Sequence, residues 1–355
     1  MSTPIVVDDQ PSQSFSQNEI YSLVSLKSKV ATLICACVEN CCIAWRQIFN
    51  PDRLPRFIRG GTETTRIYHF WPGKNVFFFR GRLICGPDPR GFLLATFSIT
   101  LPSWIFCAYI ADDSSFKHSS FVIIFAVFLT VIVLINLIAV STMDPGIIPR
   151  NASLSSLNTD QLSRIKSRKL VINGIEVKLK FCRICRIYRP PRSSHCAICD
   201  NCVEKFDHHC PWIGQCIGLR NYRFYMMFTT SALIFFVYIF AFSCRKINRR
   251  ILETRLGFFR TIRSCPEAFA LASFCFVAMW FVCGIVCFHV YLVMKNQTAY
   301  ENFRRRNVDS PNPYDKGILG NVEDVFFVRI PSSRVDFRAE ATPEMCHGGA
   351  DQLPL

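Results

Sequence analysis

The chain alternates between long apolar stretches and polar segments, and the apolar stretches predict its main elements. Four stretches contain no Asp, Glu, Lys or Arg: Gly91–Ala111, Ser119–Met143, Phe224–Cys244 and Ala268–Met294. At about 1.5 Å of helical rise per residue, each is long enough to cross a hydrocarbon core of about 30 Å. Since core helices of soluble proteins are usually shorter, the pattern predicts an α-helical integral membrane protein with four transmembrane helices.

These helices divide the chain into five parts. We expect an N-terminal region at 1–90, helices 1 and 2 within 91–143, a cysteine-rich domain at 144–223, helices 3 and 4 with their connecting loop within 224–294, and a C-terminal region at 295–355. An even number of helices places both terminal regions and the cysteine-rich domain on the same side of the membrane. Only 112–118 and Arg245–Glu267 are expected to lie on the other side as loops.

Shorter patterns occur outside the predicted helices. Arg66–Gly91 is rich in Gly, Pro and aromatic residues, which is typical of loops or short strands. A short amphipathic stretch begins at Asn321, and the tail beyond Pro331 is expected to be loose. Val30–Ala44 is apolar but too short to span a membrane, which fits an interfacial helix. Its cysteines are candidates for lipidation: Cys35, Cys37, Cys41 and Cys42.

Composition and charge agree with a membrane protein. Hydrophobic residues make up 50% of the chain, 33 residues are Phe, the mean hydropathy is +0.22 and the net charge is +15. The basic residues are scattered over every extramembrane segment, which favours contact with anionic lipid over nucleic acid. Of the 41 Lys and Arg, 33 lie on the side of the termini, which favours a cytosolic location for that side. Arg245–Glu267 opposes this trend with seven basic residues.

The cysteines supply a second argument. Seven of the 19 Cys lie between Cys182 and Cys216, at C-x-x-C and similar intervals, with His195, His208 and His209 among them. Such spacings suit tetrahedral zinc sites. Disulfides are the alternative, but an odd number of cysteines with interleaved histidines does not favour them. Reduced, zinc-bound thiols indicate a cytosolic location for this segment.

Counting the potential ligands suggests chemistry beyond metal binding. Two closed tetrahedral zinc sites take four ligands each, whereas seven Cys and three His are available. The most economical assignment spares one Cys and one His from Asp207-His208-His209-Cys210, which leaves a nucleophile, a base and an acid to orient the base. Counting alone leaves open which histidine is spared. A zinc-bearing membrane adaptor without catalytic activity is the alternative. A transporter is a third, although His289 is the one ionisable acid–base group in the predicted helices.

A reactive thiolate beside a membrane suggests a substrate. It could attack a thioester whose acyl chain lies in the bilayer, and long-chain acyl-CoA combines a polyanionic headgroup with such a chain. The basic loops and Phe-rich helices match these two parts. Because thioester exchange between thiols is nearly isoenergetic, the acceptor is expected to be another thiol. Two half-reactions at one cysteine predict ping-pong kinetics.

The same residues resemble a known family. Cys182–Cys216, followed by Gly218–Phe224, is similar to the cysteine-rich domain of the DHHC-type protein S-acyltransferases, or palmitoyltransferases. The resemblance covers roughly residues 66–338 and looks most like plant members in Arg66–Pro89. It extends to three further segments: Asp144–Gly146, Thr298–Glu301 and Asn312–Phe326.

The resemblance implies an enzyme that takes palmitoyl from palmitoyl-CoA and transfers it to cytosolic cysteines of membrane-associated proteins. Cys210 would be the nucleophile, His208 the base and Asp207 the acid that polarises it. The resemblance also implies an acyl chain held between the four helices, and a location in an endomembrane: Golgi, vesicle, vacuolar or plasma membrane. Two structural zinc ions would be held by Cys182, Cys185, His195 and Cys202, and by Cys196, Cys199, His209 and Cys216.

The chain departs from the family pattern in two motifs and in the unusually basic Arg245–Glu267 loop. Ala299 stands where the family has a threonine thought to help hold the catalytic region, which bears on how Asp207 is positioned. Phe78–Arg82 replaces a Cys-Cys-Gly-Gly-Arg sequence common in plant relatives. None of these departures affects an expected zinc ligand or Cys210.

Overall fold

The structure, a computed structural model, describes residues 66–110, 119–151, 167–254, 257–304 and 311–341. All of them belong to one compact unit, Pro55–Leu355. The predicted interfacial helix at Val30–Ala44 and its four cysteines lie outside the described residues, so that prediction stands as it was made.

The described residues contain four helices that are long and apolar enough to cross a membrane, as the sequence predicts. In chain order, α1 runs from Arg90 to Ile105 and continues as a π-helix over Phe106–Ile110, α2 spans Ser119–Thr142, α3 spans Tyr222–Thr254, and α5 spans Pro266–Met294. The many β-branched residues of α2 do not prevent a helix, because a segment in lipid must satisfy its backbone hydrogen bonds internally.

The helices pack around buried side chains that include Phe106, Val133 and Phe235. Polar contacts also join them: the Ser103 and Thr130 hydroxyls lie 2.7 Å apart, which links α1 to α2. The outward faces carry large exposed hydrophobic side chains, as expected of a surface that contacts lipid. Examples are Phe121, Ile124, Phe128, Ile135 and Trp280.

The third membrane helix is longer than the sequence prediction. It was expected to end at Cys244, but α3 continues to Thr254, and the short helix α4 follows at Phe258–Ser264. The connecting segment Arg245–Glu267 thus contains the last turns of α3 and the helix α4, while its place between the two membrane helices stays as predicted. Charge marks where a helix leaves the hydrocarbon, not where it ends, and exposed i,i+4 pairs such as Arg249–Glu253 stabilise a helix in water.

The segments on the other side of the bundle form short antiparallel hairpins. Before α1, β1 (Val76–Phe78) pairs with β2 (Leu83–Cys85), in agreement with the expected short strands. After α2, β3 (Ile147–Ile148), β9 (Asn201–Val203) and β8 (Ser194–Cys196) form a small sheet. The other pairs are β4 (Arg168–Ile172) with β5 (Ile175–Leu179), β6 (Phe181–Cys182) with β7 (Ile187–Tyr188), and β10 (His208–Cys210) with β11 (Gln215–Ile217).

The C-terminal region contains the helices α6 (Ala299–Phe303) and α7 (Gly317–Phe326). The predicted amphipathic stretch thus begins at Gly317, before Asn321. The tail beyond Pro331 was expected to be loose, and for the described residues up to 341 this is wrong. Val335 and Phe337 are buried against Ile84 and Ile147. Two apolar residues separated by one polar residue gave too weak a pattern to predict this contact.

Candidate active site and metal centres

Two groups of four side chains converge in the cysteine-rich segment, Cys182–Cys216. In each group, three thiols and one imidazole nitrogen lie within 4.8 Å of one another, so each could hold a metal ion. In the first, His195 Nδ1 lies 3.4 Å from Cys185 Sγ and 3.8 Å from Cys202 Sγ. The members are Cys182, Cys185, His195 and Cys202 in one group, and Cys196, Cys199, His209 and Cys216 in the other.

Local backbone structure explains how each group forms. The backbone amide of Cys185 donates to Cys182 Sγ at 3.4 Å, so this C-x-x-C turn brings both thiols to one point. The hairpins supply the remaining members: His195 lies opposite Cys202 in the β8–β9 pair. Cys199 and Cys196 form the equivalent turn in the second group, where the amide donates at 3.5 Å.

Strand alternation separates side chains that are neighbours in sequence. Successive side chains of a strand point to opposite faces. In β10, His209 lies opposite Cys216 and shares its metal group, whereas His208 and Cys210 lie on the other face. Counting ligands did not show which of the two histidines joins the metal group. Recognising β10 as a strand would have shown it, because its alternation separates His209 from His208.

Asp207 and His208 form a directly hydrogen-bonded pair. Asp207 Oδ2 lies 2.6 Å from His208 Nδ1, and Asp207 is only 1% exposed. Its other oxygen, Oδ1, accepts a hydrogen bond of 2.8 Å from the backbone amide of Ala299. Burial opposes protonation of the His208 ring, but its interactions with Asp207 and Cys210 outweigh this effect and raise its pKa to about 9.

Ala299 is held in place by its own helix end. Thr298 is the N-cap of α6, and it forms a capping box with Glu301. Glu301 also receives two hydrogen bonds from Arg192, at 3.0 and 2.8 Å, which tie α6 to the cysteine-rich segment. The buried Asn321 of α7 donates to the Met294 carbonyl at 2.9 Å, and so fixes the end of α5 from the other side. The alanine at 299 therefore leaves the anchor of Asp207 intact.

Cys210 belongs to neither metal group. It is 6% exposed and lines a cavity of about 360 Å³ between the membrane helices. The loop after Cys210 rests directly on α1: a Cβ added at Gly91 would lie 1.5 Å from the Pro211 carbonyl oxygen. Apart from Cys210, the cavity is lined by Ala95, Ser98, Ile99, Trp212, Tyr225, Phe228, Thr229, Ala232, Phe236, Phe274, Val277, Ala278, Phe281, Val282 and Ile285.

Sequence reasoning did not connect His289 to this site. The buried His289 of α5 hydrogen-bonds the hydroxyls of Tyr222 and Tyr225, at 3.0 Å from Nδ1 and 3.3 Å from Nε2. The His208 and His289 rings lie 5.8 Å apart, and His208 also packs edge-on against Tyr225. Tyr222 and Tyr225 are three residues apart and share one face of α3, so helical spacing was the available clue.

The fold and the site define a class of protein: a multi-pass membrane protein in which one thiol, spared by two Cys/His groups, faces an apolar cavity. Residues 175–306 match the family model for DHHC palmitoyltransferase. The chain belongs to this family, as its similarity to plant relatives over most of its length shows.

Three relatives from Arabidopsis thaliana illustrate the similarity. "Probable protein S-acyltransferase 5" is 41% identical over 81% of this chain and 64% of its own length. "Probable protein S-acyltransferase 7" is 43% identical over 79% of this chain and 67% of its own length. "Protein S-acyltransferase 8" is 39% identical over 78% of this chain and 72% of its own length. The chain thus spans about two thirds of the length of the first two relatives.

Proposed function

We propose that the protein is a protein-cysteine S-acyltransferase that takes a long-chain acyl group, such as palmitoyl, from acyl-CoA onto Cys210 and passes it to cysteine thiols of membrane-associated proteins. One observation carries the proposal. Cys210 lies where the Asp207–His208 pair meets an apolar cavity between membrane helices. The family and the names of the relatives support the same activity.

In the first half-reaction, the Cys210 thiol transfers its proton to His208. The hydrogen bond between Asp207 and His208 Nδ1 orients the imidazole ring and leaves its Nε2 available to the Cys210 thiol. The thiolate attacks the thioester carbonyl, a new C–S bond forms, the C–S bond to CoA breaks, and the CoA thiolate takes the proton from His208. The raised pKa of His208, about 9, favours the thiolate–imidazolium pair from which this attack starts.

The second half-reaction reverses these roles with a different thiol. A cysteine of the protein substrate gives its proton to His208 and attacks the thioester on Cys210. The substrate leaves as a new thioester, and the Cys210 thiol regains its proton. Two successive transfers through one enzyme thiol give ping-pong kinetics.

The cavity provides a place for the acyl chain. Its walls are almost entirely apolar, and Cys210 lies in its lining. Among the lining residues, Phe236 of α3 and Phe274 of α5 are the farthest along their helices from Tyr222 and Met294, the helix ends near the cysteine-rich segment, and their rings lie 6.1 Å apart. A chain attached to Cys210 would extend from the thiol toward this aromatic pair.

The two Cys/His groups fit zinc. Three thiolates and one imidazole per group form a common donor set for structural zinc, and four ligands close a tetrahedral site. The first ion would be held by the Cys182 group and the second by the Cys196 group. Closed sites of this kind contribute folding free energy and bring no reactive position. The chain's own residues would therefore carry out the chemistry, on hairpins that zinc stabilises.

Reduced thiols also support a cytosolic location for the cysteine-rich segment. We infer that both termini lie on this cytosolic side. The protein itself would be located in an endomembrane of the Golgi, vesicle, vacuolar or plasma membrane type. The partners would then be acyl-CoA, the bilayer and membrane-associated proteins with cytosolic cysteines, without nucleic acid.

The test is formation of a thioester on the purified full chain. After incubation with palmitoyl-CoA, we expect a hydroxylamine-labile acyl group that is absent in Cys210→Ser, while the bound zinc is retained. Cys85→Ser is the matched control, because burial raises the pKa of that thiol to about 12 and keeps it protonated. If the protein were a catalytically silent zinc adaptor, the parent chain and both variants would contain zinc, but none of them would form the adduct. An adduct that survives Cys210→Ser would exclude Cys210 as the nucleophile.

A further inference from the structure

A second cavity lies beside the end of α2, away from Cys210. It is an open cleft of about 470 Å³, within the range of about 300–1,000 Å³ that is typical of small-molecule sites. None of the residues that line it also lines the acyl cavity. Arg220 and three segments that are distant in sequence form it: the β1–β2 hairpin at Gly81–Ile84, the end of α2 and the two residues after it, within Ala139–Asp144, and the C-terminal tail, within Ser333–Arg338.

We propose that this cleft binds the phosphate-bearing headgroup of an anionic membrane phospholipid. Three arginines line it: Arg82, Arg220 and Arg338. Arg220 is already engaged, because it forms an ion pair with Asp144 at 2.5 Å. Within the described part of the chain, no hydrogen bond or ion pair is formed by the guanidinium groups of Arg82 and Arg338, which are both exposed.

Neither acidic side chain of the cleft forms an ion pair with these two arginines. Asp144 is fully used: Oδ2 accepts from Arg220 and, at 2.6 Å, from the Ser333 hydroxyl, while Oδ1 accepts from two backbone amides. Asp336 accepts from the backbone amide of Arg338 at 3.0 Å, not from its side chain. Two guanidinium groups are therefore free for a phosphate, a ligand whose geometry arginine matches well.

The position of the cleft favours a lipid over a soluble phosphate compound. Ala139 and Thr142 belong to the last turn of a membrane helix, so a bound group would lie at the level of the lipid headgroups. Phe79, at the tip of the adjacent hairpin, is 74% exposed. It is followed by Arg80, and both have the left-handed backbone conformation, with φ of 50° and 58°. An exposed aromatic residue next to arginines at this level is typical of a membrane–water interface.

The cleft lies next to the Phe78–Arg82 departure from the plant family pattern. Gly81 and Arg82, which match that pattern, line the cleft, whereas Phe79, which stands where the pattern has a cysteine, lies in the same hairpin outside the lining. The departure thus adds an exposed aromatic group beside a basic cavity. A bound phosphate would join the hairpin to the tail through Arg82 and Arg338, so the lipid would fasten the tail to the end of α2.

Lipid binding is measured without acyl transfer, so this proposal and the proposed activity can fail independently. The full chain is reconstituted in phosphatidylcholine nanodiscs, and fluorescent phosphatidic acid is titrated in. In Arg82→Gln/Arg338→Gln, we expect the affinity to fall about fivefold for each arginine removed. Lys178→Gln/Lys180→Gln is the matched control. Both lysines are exposed, one in β5 and one directly after it, away from the cleft, and their removal lowers the net charge by the same amount.

The outcomes separate a defined site from general attraction. The proposal requires the arginine variant to lose affinity while the lysine variant keeps it, with zinc content unchanged in both. Equal losses in the two variants, or no loss in the arginine variant, would overturn it. Phe79→Ser should weaken the binding of the lipid without affecting soluble glycerol 3-phosphate. If glycerol 3-phosphate bound as tightly as phosphatidic acid, the assignment to a lipid would be wrong.

Discussion

The backbone amide of Ala299 donates a hydrogen bond to Asp207, and this contact joins the segment after the fourth membrane helix to the Asp207–His208 pair. The distance is 2.8 Å, and the two residues are 92 positions apart in the chain. The donor is the main chain, so the absence of a threonine side chain at this position does not release Asp207. What positions Asp207 here is the start of α6, which Thr298 and Glu301 cap.

Ala299→Pro tests this contact directly. Proline is well tolerated at the first position of a helix, and Thr298 already has the extended conformation that a residue before proline prefers. The substitution should therefore preserve α6 but remove the donor. Because a hydrogen bond to a charged group contributes about 1.5–3 kcal/mol, we expect acylation of Cys210 to slow by about 10- to 100-fold. The measurement is the rate of adduct formation with palmitoyl-CoA.

Ala299→Thr is the control for that experiment. It restores the side chain of the family pattern and keeps the amide, so its acylation rate should remain close to that of the parent protein. Zinc content should be unchanged in both variants. If threonine increased the rate strongly, or proline left it unaltered, the backbone amide would not be what positions Asp207.

Adjacent histidines should respond differently to the same substitution. His209→Ala removes one donor from the Cys196 group. We expect loss of one of the two zinc ions and a lower melting temperature, because structural zinc contributes folding free energy. His208→Ala should retain both ions and lose acylation instead. Metal analysis of the purified proteins, together with the adduct assay, distinguishes the two. The opposite pattern would mean that the base and the ligand have been exchanged.

The spans and the cysteine-rich segment could be predicted because their patterns are local. Uncharged stretches of membrane-crossing length and repeated C-x-x-C intervals each occur within a few tens of residues. The extension of α3 to Thr254 could not be predicted in the same way, since basic residues are compatible with both a loop and a solvated helix. The contact of Phe337 with Trp71, whose ring centroids lie 5.0 Å apart, links the last described segment to the first.

In the candidate site, too, only the residues that are close in sequence could be predicted together. Asp207, His208 and Cys210 are close in sequence and could be proposed together. The groups that surround them come from distant segments: the Ala299 amide, the Tyr225 ring of α3 and the His289 ring of α5. Composition gives no indication of such contacts, because they depend on how the helix ends meet the hairpins.

His289 should act as a positioning residue for this site. Its ring forms hydrogen bonds with the hydroxyls of Tyr222 and Tyr225. His289→Leu would remove this partner from both hydroxyls. A buried polar group without a hydrogen bond costs about 1–3 kcal/mol, so we expect acylation to slow by about fivefold or more. His289→Gln retains a donor and an acceptor and should recover part of the rate.

The two His289 variants also separate positioning from simple damage to the fold. Melting temperature and zinc content are measured alongside the rate. Partial recovery by Gln at an equal melting temperature would support the positioning role. If the leucine and glutamine variants lost rate and stability in proportion, His289 would be only a structural residue of α5.

The depth of the apolar cavity should determine which acyl chains the protein accepts. Ala278 lines the cavity one helical turn from Phe274, near its far end. In Ala278→Phe the new ring takes space that a long chain would need. Because insertion of excess volume costs about 1–3 kcal/mol, palmitoyl transfer to Cys210 should fall by about tenfold, while octanoyl transfer is retained. Ala270→Phe is the matched control, since Ala270 is exposed on the same helix and does not line the cavity. Competition between the two acyl-CoA donors measures the preference, and an unchanged preference in Ala278→Phe would mean that the chain does not occupy this cavity.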